Sequence, residues 1–343
     1  MKLRRFLPVL ASLLLPILPA HAAETLTISV WGGTFRDALA ESVGKRFTEQ
    51  TGVELKYVTG SAVTRLNKEK LAQGADTPDV LYTTGHVGWL YKSSNLLDDL
   101  DVSKIPNVST LPAGAMLSPA HIGAWSYVYT ICYRQSLVPA GMTFTSWKDL
   151  WNPELKGMIG LHEIDPSHII AVASKLSGVD AANWADAQPL LLELKPNIKA
   201  YYASDAMSQD QLSSGETPIS VALASNCYHL AESNPDIKVA IPSEGAVGST
   251  DVVAVMSAST KKDLAYKYIN LVFDPQVQSE LAKALKVSPA NPAAVLPDEL
   301  KDLPGMYASP EKFRAETIFV DNKLRSEKLG EWRQWFSENM MNQ

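Results

Sequence analysis

Residues 26–57 read LTISVWGGTFRDALAESVGKRFTEQTGVELKY and contain the clearest pattern of secondary structure in the chain. The first six of these residues alternate between apolar and polar side chains, as a half-buried β-strand does, and residues 53–57 alternate in the same way. Between them, apolar residues recur at helical spacing from Phe35 to Phe47, and Gly52 ends the helix. The stretch therefore predicts a strand, a helix and a second strand.

The same order of elements continues along the chain. Residues 62–73 predict a helix and residues 79–82 a short buried strand, and a further helix is predicted after Thr84. This alternation predicts an α/β fold with a parallel sheet and crossover helices. Later predicted elements are strands at 158–161, 198–202, 219–224, 237–241 and 252–256, and helices at 167–176, 207–212, after 260, from 275 and within 310–340.

The N-terminal segment is typical of a cleaved secretory signal peptide. Three basic residues, an apolar run over residues 6–18 and a small-x-small sequence at 20–22 follow one another. The apolar run is shorter than a comfortable membrane span, which makes a permanent anchor the less favoured alternative. We expect residues 1–22 to be removed and the protein to reach the periplasm. The first cysteine is Cys132, so we expect no lipid at the cleavage site.

The charge balance argues against a nucleic-acid partner. The chain has 31 basic and 37 acidic residues, and removal of Lys2, Arg4 and Arg5 with the signal leaves 28 − 37, a net charge of −9. Nucleic-acid binding calls for a basic face. The acidic balance suits a receptor for cations, or simply a soluble secreted protein.

The two cysteines, Cys132 and Cys227, leave two interpretations open. They could pair in an oxidising compartment. The sequence does not give the distance between them, and we expect two buried free thiols rather than a disulfide.

A set of short motifs gives the chain a specific resemblance. The segment DLWNPELKG at residues 149–157 is similar to the part of the spermidine/putrescine-type periplasmic binding proteins in which a tryptophan helix leads into the second lobe. Each further motif is weak alone, but together they occur in the family's order over essentially the whole secreted chain. They are LLELKPN at 191–197, IPSEG at 241–245, YINLVFDP at 268–275 and PANPA at 289–293.

The resemblance implies a two-lobed α/β periplasmic binding protein of type II, in which two strand crossovers form a hinge. Residues 24–130 and 252–343 would form lobe one, and residues 131–251 would form lobe two. Such proteins capture a small solute between the lobes and deliver it to an inner-membrane ABC permease. We expect a monomer that catalyses no reaction and carries no cofactor. A chemoreceptor or sensor is a further partner that the sequence leaves open.

Several ligand-binding candidates follow from the resemblance. Trp31 matches a tryptophan in the family's first loop, and Thr84 falls at a hydroxyl position after the third strand. Asp165 and Asp251 match acidic residues, and an ammonium group pairs well with a carboxylate. The positions that depart from the family are Ala224 and Ser249 in place of tryptophans, Val287 and His86 in place of tyrosines, and His168 in place of a glutamate.

These departures predict a ligand shorter than spermidine, because much of the family's aromatic surface is replaced. The expected ligand carries one amine and one anionic group, as 4-aminobutyrate and 5-aminovalerate do, with a putrescine-like polyamine as the second choice. Asp251 or Asp165 would bind the amine. The anion would lie at the helix N-terminus formed by Gly32, Gly33 and Thr34, assisted by Arg36, His86 or His168.

Two alternatives belong to other kinds of site. Tyr201-Tyr202 is an adjacent tyrosine pair, as some ferric-ion binders of this fold have, but neighbouring strand residues point to opposite faces. His162 and His168 match no short zinc spacing, so we expect no metal. A secreted hydrolase would need a nucleophile and a base, and the sequence has no Gly-x-Ser-x-Gly or His-Glu-x-x-His motif.

Overall fold

The computed structural model describes residues 24–72 and 74–342, so the predicted signal peptide lies outside the described residues. Within them the strands form one connected sheet. The strands are β1 (Thr25–Val30), β2 (Glu54–Thr59), β3 (Val80–Thr84), β4 (Met116–Ser118), β5 (His121–Arg134), β6 (Ile159–His162), β7 (Ile198–Tyr202), β8 (Ile219–Leu223), β9 (Ile237–Ala240), β10 (Val247–Val255), β11 (Ser288–Pro289) and β12 (Ile318–Phe319).

Helices cover both faces of this sheet and much of the C-terminal part of the chain. The α-helices are α1 (Thr34–Leu39), α2 (Lys45–Thr51), α3 (Ala62–Ala72), α4 (Gly85–Ser93), α5 (Ser167–Leu176), α6 (Gln188–Leu194), α7 (Asp205–Ser214), α8 (Ala224–Ser233), α9 (Lys262–Val272), α10 (Pro275–Leu285), α11 (Asp298–Lys301), α12 (Pro310–Glu316) and α13 (Asn322–Phe336). A π-helical segment, Ala40–Gly44, joins α1 to α2, and another, Ser337–Met341, follows α13. In the described residues, no helix combines the length and the apolar character that a membrane crossing requires.

The elements predicted from periodicity are confirmed, with ends that shift by a few residues. β1, α1 to α2 and β2 occupy the opening stretch, and Gly52 ends α2 with φ 70°, the left-handed conformation that glycine adopts readily. Helix α5 has the predicted bounds. Asp274 accepts hydrogen bonds from the first backbone N–H groups of α10, ahead of Pro275 at its first position. The periodicity did not reveal β5, α6 or α8.

The sheet has the strand order β2-β1-β3-β10-β5-β8-β6-β7. β1 pairs in parallel with both β2 and β3, and β6 pairs in parallel with β7 and β8. These two parallel groups are the strand-helix-strand units that the sequence predicts. Between them lie β10 and β5, which are antiparallel to each other and to their outer neighbours.

The long strand β5 connects the two groups. Its residues 122–129 pair with β10, and its residues 129–134 pair with β8 and β9. All nine residues of β10 are buried, as a strand covered on both faces requires. The strand predicted at 252–256 is only the second half of β10, because the first half, with a glycine and two hydroxyl residues, lacks an apolar run.

The residues of the DLWNPELKG segment account for its local structure. It forms two short 3₁₀ helices, the first started by Ser146 and Asp149 in a capping box and the second by Asn152 and Pro153. The amide of Asn197 then donates to carbonyl oxygens at residues 150 and 152, at 2.8 and 2.9 Å. The two motifs at 149–157 and 191–197 therefore stabilise each other at the N-terminal ends of β6 and β7.

The cysteine prediction was wrong. Cys132 of β5 and Cys227 of α8 form a disulfide, with 6.3 Å between their Cα atoms. They lie 95 residues apart in the sequence, and the pairing of β8 with β5 brings α8 over β5. Only this tertiary arrangement sets the distance. The bond ties the helix that follows β8 to the central strand.

We predict that loss of this disulfide destabilises the fold. Closing a loop of 95 residues restricts the unfolded chain, and removal of such a bond from a folded protein costs about 2–4 kcal/mol. Urea unfolding of a Cys132→Ala/Cys227→Ala variant should show this loss against the oxidised wild type. A variant as stable as the wild type would contradict the prediction, and reduced wild type serves as the matched control.

Candidate ligand-binding site

A cavity of about 510 Å³ lies where the parallel strands end. The loops after β1, β2 and β3 form one wall, and the loops after β6 and β7 with the starts of α7 and α8 form the other. Ligands of open α/β sheets bind at this position. The predicted residues that line the cavity are Trp31, Gly33, Thr34, Thr84, His86, Asp165 and Asp251.

The first wall depends on the glycine that precedes α1. Gly33 adopts φ 60° and ψ −135°, a backbone conformation that other residues rarely adopt. This turn directs the chain from β1 into α1 at the cavity wall, so Thr34 and Phe35 also line it. Arg36 does not line the cavity and instead forms an exposed pair with Asp37, at 2.6 Å.

The indole of Trp31 is held by two neighbours. Its ring centroid lies 5.4 Å from that of Phe35, and the guanidinium carbon of Arg65 lies 5.3 Å from the centroid. Arg65 is buried and donates to the Ser29 hydroxyl at 2.7 Å and to the Tyr82 carbonyl oxygen at 2.8 Å. A guanidinium fixed in this way stabilises the ring by a cation–π contact. The position of Trp31 therefore does not depend on a ligand.

Asp251 lies at an irregularity in the central pair of strands. Asp251 is opposite Trp125, but the next residue, Val252, is opposite Gly123, so β5 bulges here. Bulges re-aim side chains at functional positions. The Asp251 carboxyl is buried and accepts a hydrogen bond from the Trp125 indole at 2.9 Å through Oδ2. Its Oδ1 has no partner among the described residues.

Burial raises the pKa of Asp251 to about 8; the neighbouring Tyr127, the Trp125 hydrogen bond and the charge of Arg65 act against burial, and the Asp205 charge acts with it. The carboxyl is therefore largely neutral at pH 7. In register with Asp251 on β3 lies Thr84, whose buried Oγ1 likewise has no partner within the described chain. Buried polar atoms without partners are costly, which favours a role in holding a ligand.

The sequence analysis missed Asp205. This residue begins α7, where the Ser204 hydroxyl caps the helix by accepting from the Met207 N–H at 3.2 Å, and it lines the cavity opposite Trp31 and Phe35. Burial raises the pKa of its carboxyl to about 6. The signal was present as a serine followed by an acid, a pattern typical of a helix start. The prediction placed that start at Met207, two residues too late.

Asp165 lies at the cavity wall, but its charge already has a partner. The guanidinium of Arg325, from α13, lies 3.1 Å from its Oδ2, and His86 Nε2 lies 3.4 Å from the same oxygen. Burial alone would raise the pKa of Asp165, but Arg325, together with smaller contributions from His86, His168 and His162, outweighs burial and holds that pKa well below its usual range. The side chain of Arg325 is itself only 3% exposed. No sequence pattern pointed to Arg325.

His168 was expected to assist in binding the anionic group of the ligand, but the structure places it away from the cavity surface. His168 is not among the lining residues; its ring stacks on Tyr129 with centroids 3.6 Å apart, behind the cavity surface. Burial lowers the pKa of His168 and of His86 to about 3 each, and Arg325 contributes to both shifts. Both imidazoles are therefore neutral. His162, also at the wall, accepts backbone N–H bonds from Ile164 and Asp165 at 3.1 and 3.0 Å.

The cavity retains more aromatic surface than the sequence predicts. Trp31, Phe35, Tyr127 and Tyr129 all line it, and the two tyrosines come from β5, which periodicity had not revealed. Ala224 and Ser249, where the family has tryptophans, are both buried and do not line the cavity. The central strand β5 therefore supplies half of these four aromatic side chains, and the segment from β1 into α1 supplies the other half.

The lining residues carry an acidic character. In the described part of the chain, Asp165, Asp205 and Asp251 line the cavity, and none of the lining residues is a lysine or an arginine. The described residues contain no group of three histidine, cysteine or acidic side chains arranged to hold a metal ion. Tyr201 donates to the Met340 carbonyl oxygen and Tyr202 to that of Val221, so the two hydroxyls form no common site.

Comparison with known proteins agrees with this geometry. The sequence matches the family of bacterial extracellular solute-binding proteins over residues 42–308. It is 28% identical to a putrescine/cadaverine-binding protein of Pseudomonas aeruginosa over 87% of this chain and 89% of that protein. It is 24% identical to the spermidine/putrescine-binding periplasmic protein of Escherichia coli, over 97% of this chain and 93% of that protein.

The fold has a solved counterpart in the spermidine/putrescine ABC transporter substrate-binding protein of Streptococcus pneumoniae. The TM-score is 0.74 at 23% identity, over 92% of this chain and 99% of that one. The chain belongs to the bacterial extracellular solute-binding protein family. The two-lobed α/β fold and the resemblance to spermidine/putrescine-type binding proteins are confirmed.

We predict that Asp251 makes the empty protein less stable as pH rises. Its pKa of about 8 in the folded protein exceeds that of the unfolded chain, so the folded state retains a proton that the unfolded state has lost from about pH 4 upward. Stability should therefore fall as pH rises toward 8. Asp251→Asn keeps the shape without the charge and should gain stability over wild type, more at about pH 9 than at about pH 5.

Urea unfolding at the two pH values measures this difference. Asp210→Asn, an exposed position on α7, is the control and should show no such gain. An Asp251→Asn variant that loses stability equally at both values would show that the native carboxyl is ionised and paired.

Proposed function

We propose that this chain is the periplasmic substrate-binding subunit of an ABC importer and that its ligand is a small organic amine held as a cation. The observation that carries the proposal is the acidic cavity: among the residues that the structure describes, no lysine or arginine lines it, and Asp205 and Asp251 line it without a salt-bridge partner. An ammonium group would supply the missing counter-charge. The family and fold are those of solute-binding transport proteins, which supports capture and delivery to a permease rather than catalysis.

The cavity suggests how such a ligand would be held. One ammonium group would lie between Asp251 Oδ1 and Thr84 Oγ1, two buried oxygens of the cavity lining that have no partner within the described chain. The methylenes would pack against Trp31, Phe35 and Tyr127, since aromatic faces attract both hydrocarbon and cations. Asp205 would receive a second ammonium group.

This arrangement favours a short diamine, such as putrescine or cadaverine. Two carboxyls without basic partners match two ammonium groups, and the Pseudomonas aeruginosa relative is named for the same two diamines. A short ω-amino acid such as 4-aminobutyrate is the second candidate. Its carboxylate would have the backbone N–H groups at Gly33 and Thr34, where α1 begins, but no basic side chain at the cavity wall.

Calorimetric titration tests the proposal. We expect putrescine or cadaverine to bind more tightly than 4-aminobutyrate or 5-aminovalerate. Asp205→Asn and Asp251→Asn should each weaken diamine binding by about tenfold or more, because each removes a hydrogen bond to a charged group. Asp210→Asn should bind like the wild type. A preference for the ω-amino acids would select the second candidate, and no response to either class would contradict an amine ligand.

We also predict that diamine affinity rises with pH. The carboxyls have pKa values of about 8 and about 6 in the empty protein, so protons must leave before both can pair with ammonium groups. A nearby cation favours the ionised form, and binding near pH 7 should release a proton. Affinity should increase from about pH 6 to about pH 8.5, where aliphatic amines remain charged.

Titration in two buffers of different ionisation enthalpy measures the proton release. The release should disappear in Asp251→Asn. Proton uptake on binding, or an affinity that does not change with pH, would contradict ammonium binding at Asp251.

A further inference from the structure

We infer that Arg325 is a specificity-determining residue. Its guanidinium forms a salt bridge with the Asp165 carboxylate and so limits how many ammonium groups of a ligand the cavity accepts. The inference rests on the proposed function, because it concerns an amine ligand. It deepens that function by assigning a role to a residue outside the cavity wall.

The contacts of Arg325 support this role. The guanidinium is held by groups from two segments: where α5 begins it donates to Asp165 Oδ2 at 3.1 Å and to the Ser167 hydroxyl at 2.8 Å, and on β10 it donates to the Ser249 hydroxyl at 3.0 Å. Because a guanidinium cannot lose its charge in a protein, the pairing is permanent. Arg325 is not itself a lining residue, so it acts on a ligand through Asp165.

The other groups around Asp165 do not supply a comparable charge. His86, His162 and His168 all influence the Asp165 carboxyl, but burial holds their own pKa values at about 3, 4 and 3. All three are neutral across the range in which a periplasmic protein works. Arg325 is therefore the cation that balances Asp165.

Asp165 would be available to a ligand if Arg325 were absent. Its side chain is 15% exposed and lines the same cavity as Asp205 and Asp251. With Arg325 present, two cavity carboxyls need a counter-charge from the ligand. Without it there would be three, which matches a triamine rather than a diamine.

The experiment compares spermidine and putrescine binding to four proteins by calorimetry: wild type, Arg325→Gln, Arg325→Lys and Arg325→Gln/Asp165→Asn. Arg325→Gln keeps a donor for the serine hydroxyls but removes the charge. We expect the ratio of spermidine to putrescine affinity to rise by about tenfold, the gain of one hydrogen bond between charged groups. Arg325→Lys keeps the charge and should stay near the wild-type ratio. The double variant lacks both charges and should return to it.

A gain of spermidine affinity is a result that mere structural damage does not produce. An unchanged or lower ratio in folded Arg325→Gln, or a gain that persists in the double variant, would overturn the role of Arg325. Should Arg325→Gln not fold, Asp165→Asn gives the opposite test: the unpaired guanidinium should weaken spermidine more than putrescine, and an unchanged ratio overturns the inference. Failure of the wild type to bind either amine would contradict the proposed function instead.

Discussion

The antiparallel pairing of β5 with β10 is the interaction on which the rest of the structure depends. It joins the parallel group around β1 to the parallel group around β6, and it is buried along its length. The cavity residues Tyr127, Tyr129 and Asp251 belong to these two strands. The bulge opposite Asp251 aims the carboxyl, and the disulfide ties α8 to the part of β5 that pairs with β8 and β9. The same pair of strands therefore connects the two parallel groups of the sheet and supplies side chains to the cavity.

The carboxyls that line the cavity differ in how their charges are balanced. A buried charged carboxyl is costly unless a partner compensates it, and the three cavity carboxyls are compensated in two different ways. Asp165 has a permanent partner in Arg325, and burial does not prevent its ionisation. Asp251 and Asp205 form no salt bridge within the described residues, and burial raises their pKa values. Asp205 and Asp251 face the cavity, where a cationic ligand would supply their counter-charge.

The sequence predicted this fold to the extent that local patterns determine it. β1 to β3, α5 and α10 follow from periodicity and capping, which depend on residues a few positions apart. β5 was missed because it is apolar on both faces and so does not alternate. Asp205 was missed through a helix start placed two residues late. Arg325 and the Cys132–Cys227 bond depend on contacts between distant segments, which no local pattern contains. The lobe boundaries at 130 and 252 stay a prediction.

The position of Arg325 bears on how such a receptor can change ligands. A substitution at the cavity wall alters shape, contacts and charge together, whereas a cation placed behind the wall alters the charge that Asp165 presents and leaves the wall itself intact. Arg325 lies on α13, far in sequence from β6 and β10, and hydroxyls on both sides of it hold the guanidinium in place. The histidines that surround Asp165 have strongly lowered pKa values, so Arg325 is the charged partner in this cluster. The charge complement of the cavity can therefore be set independently of its aromatic surface, because the two properties come from different elements of the fold.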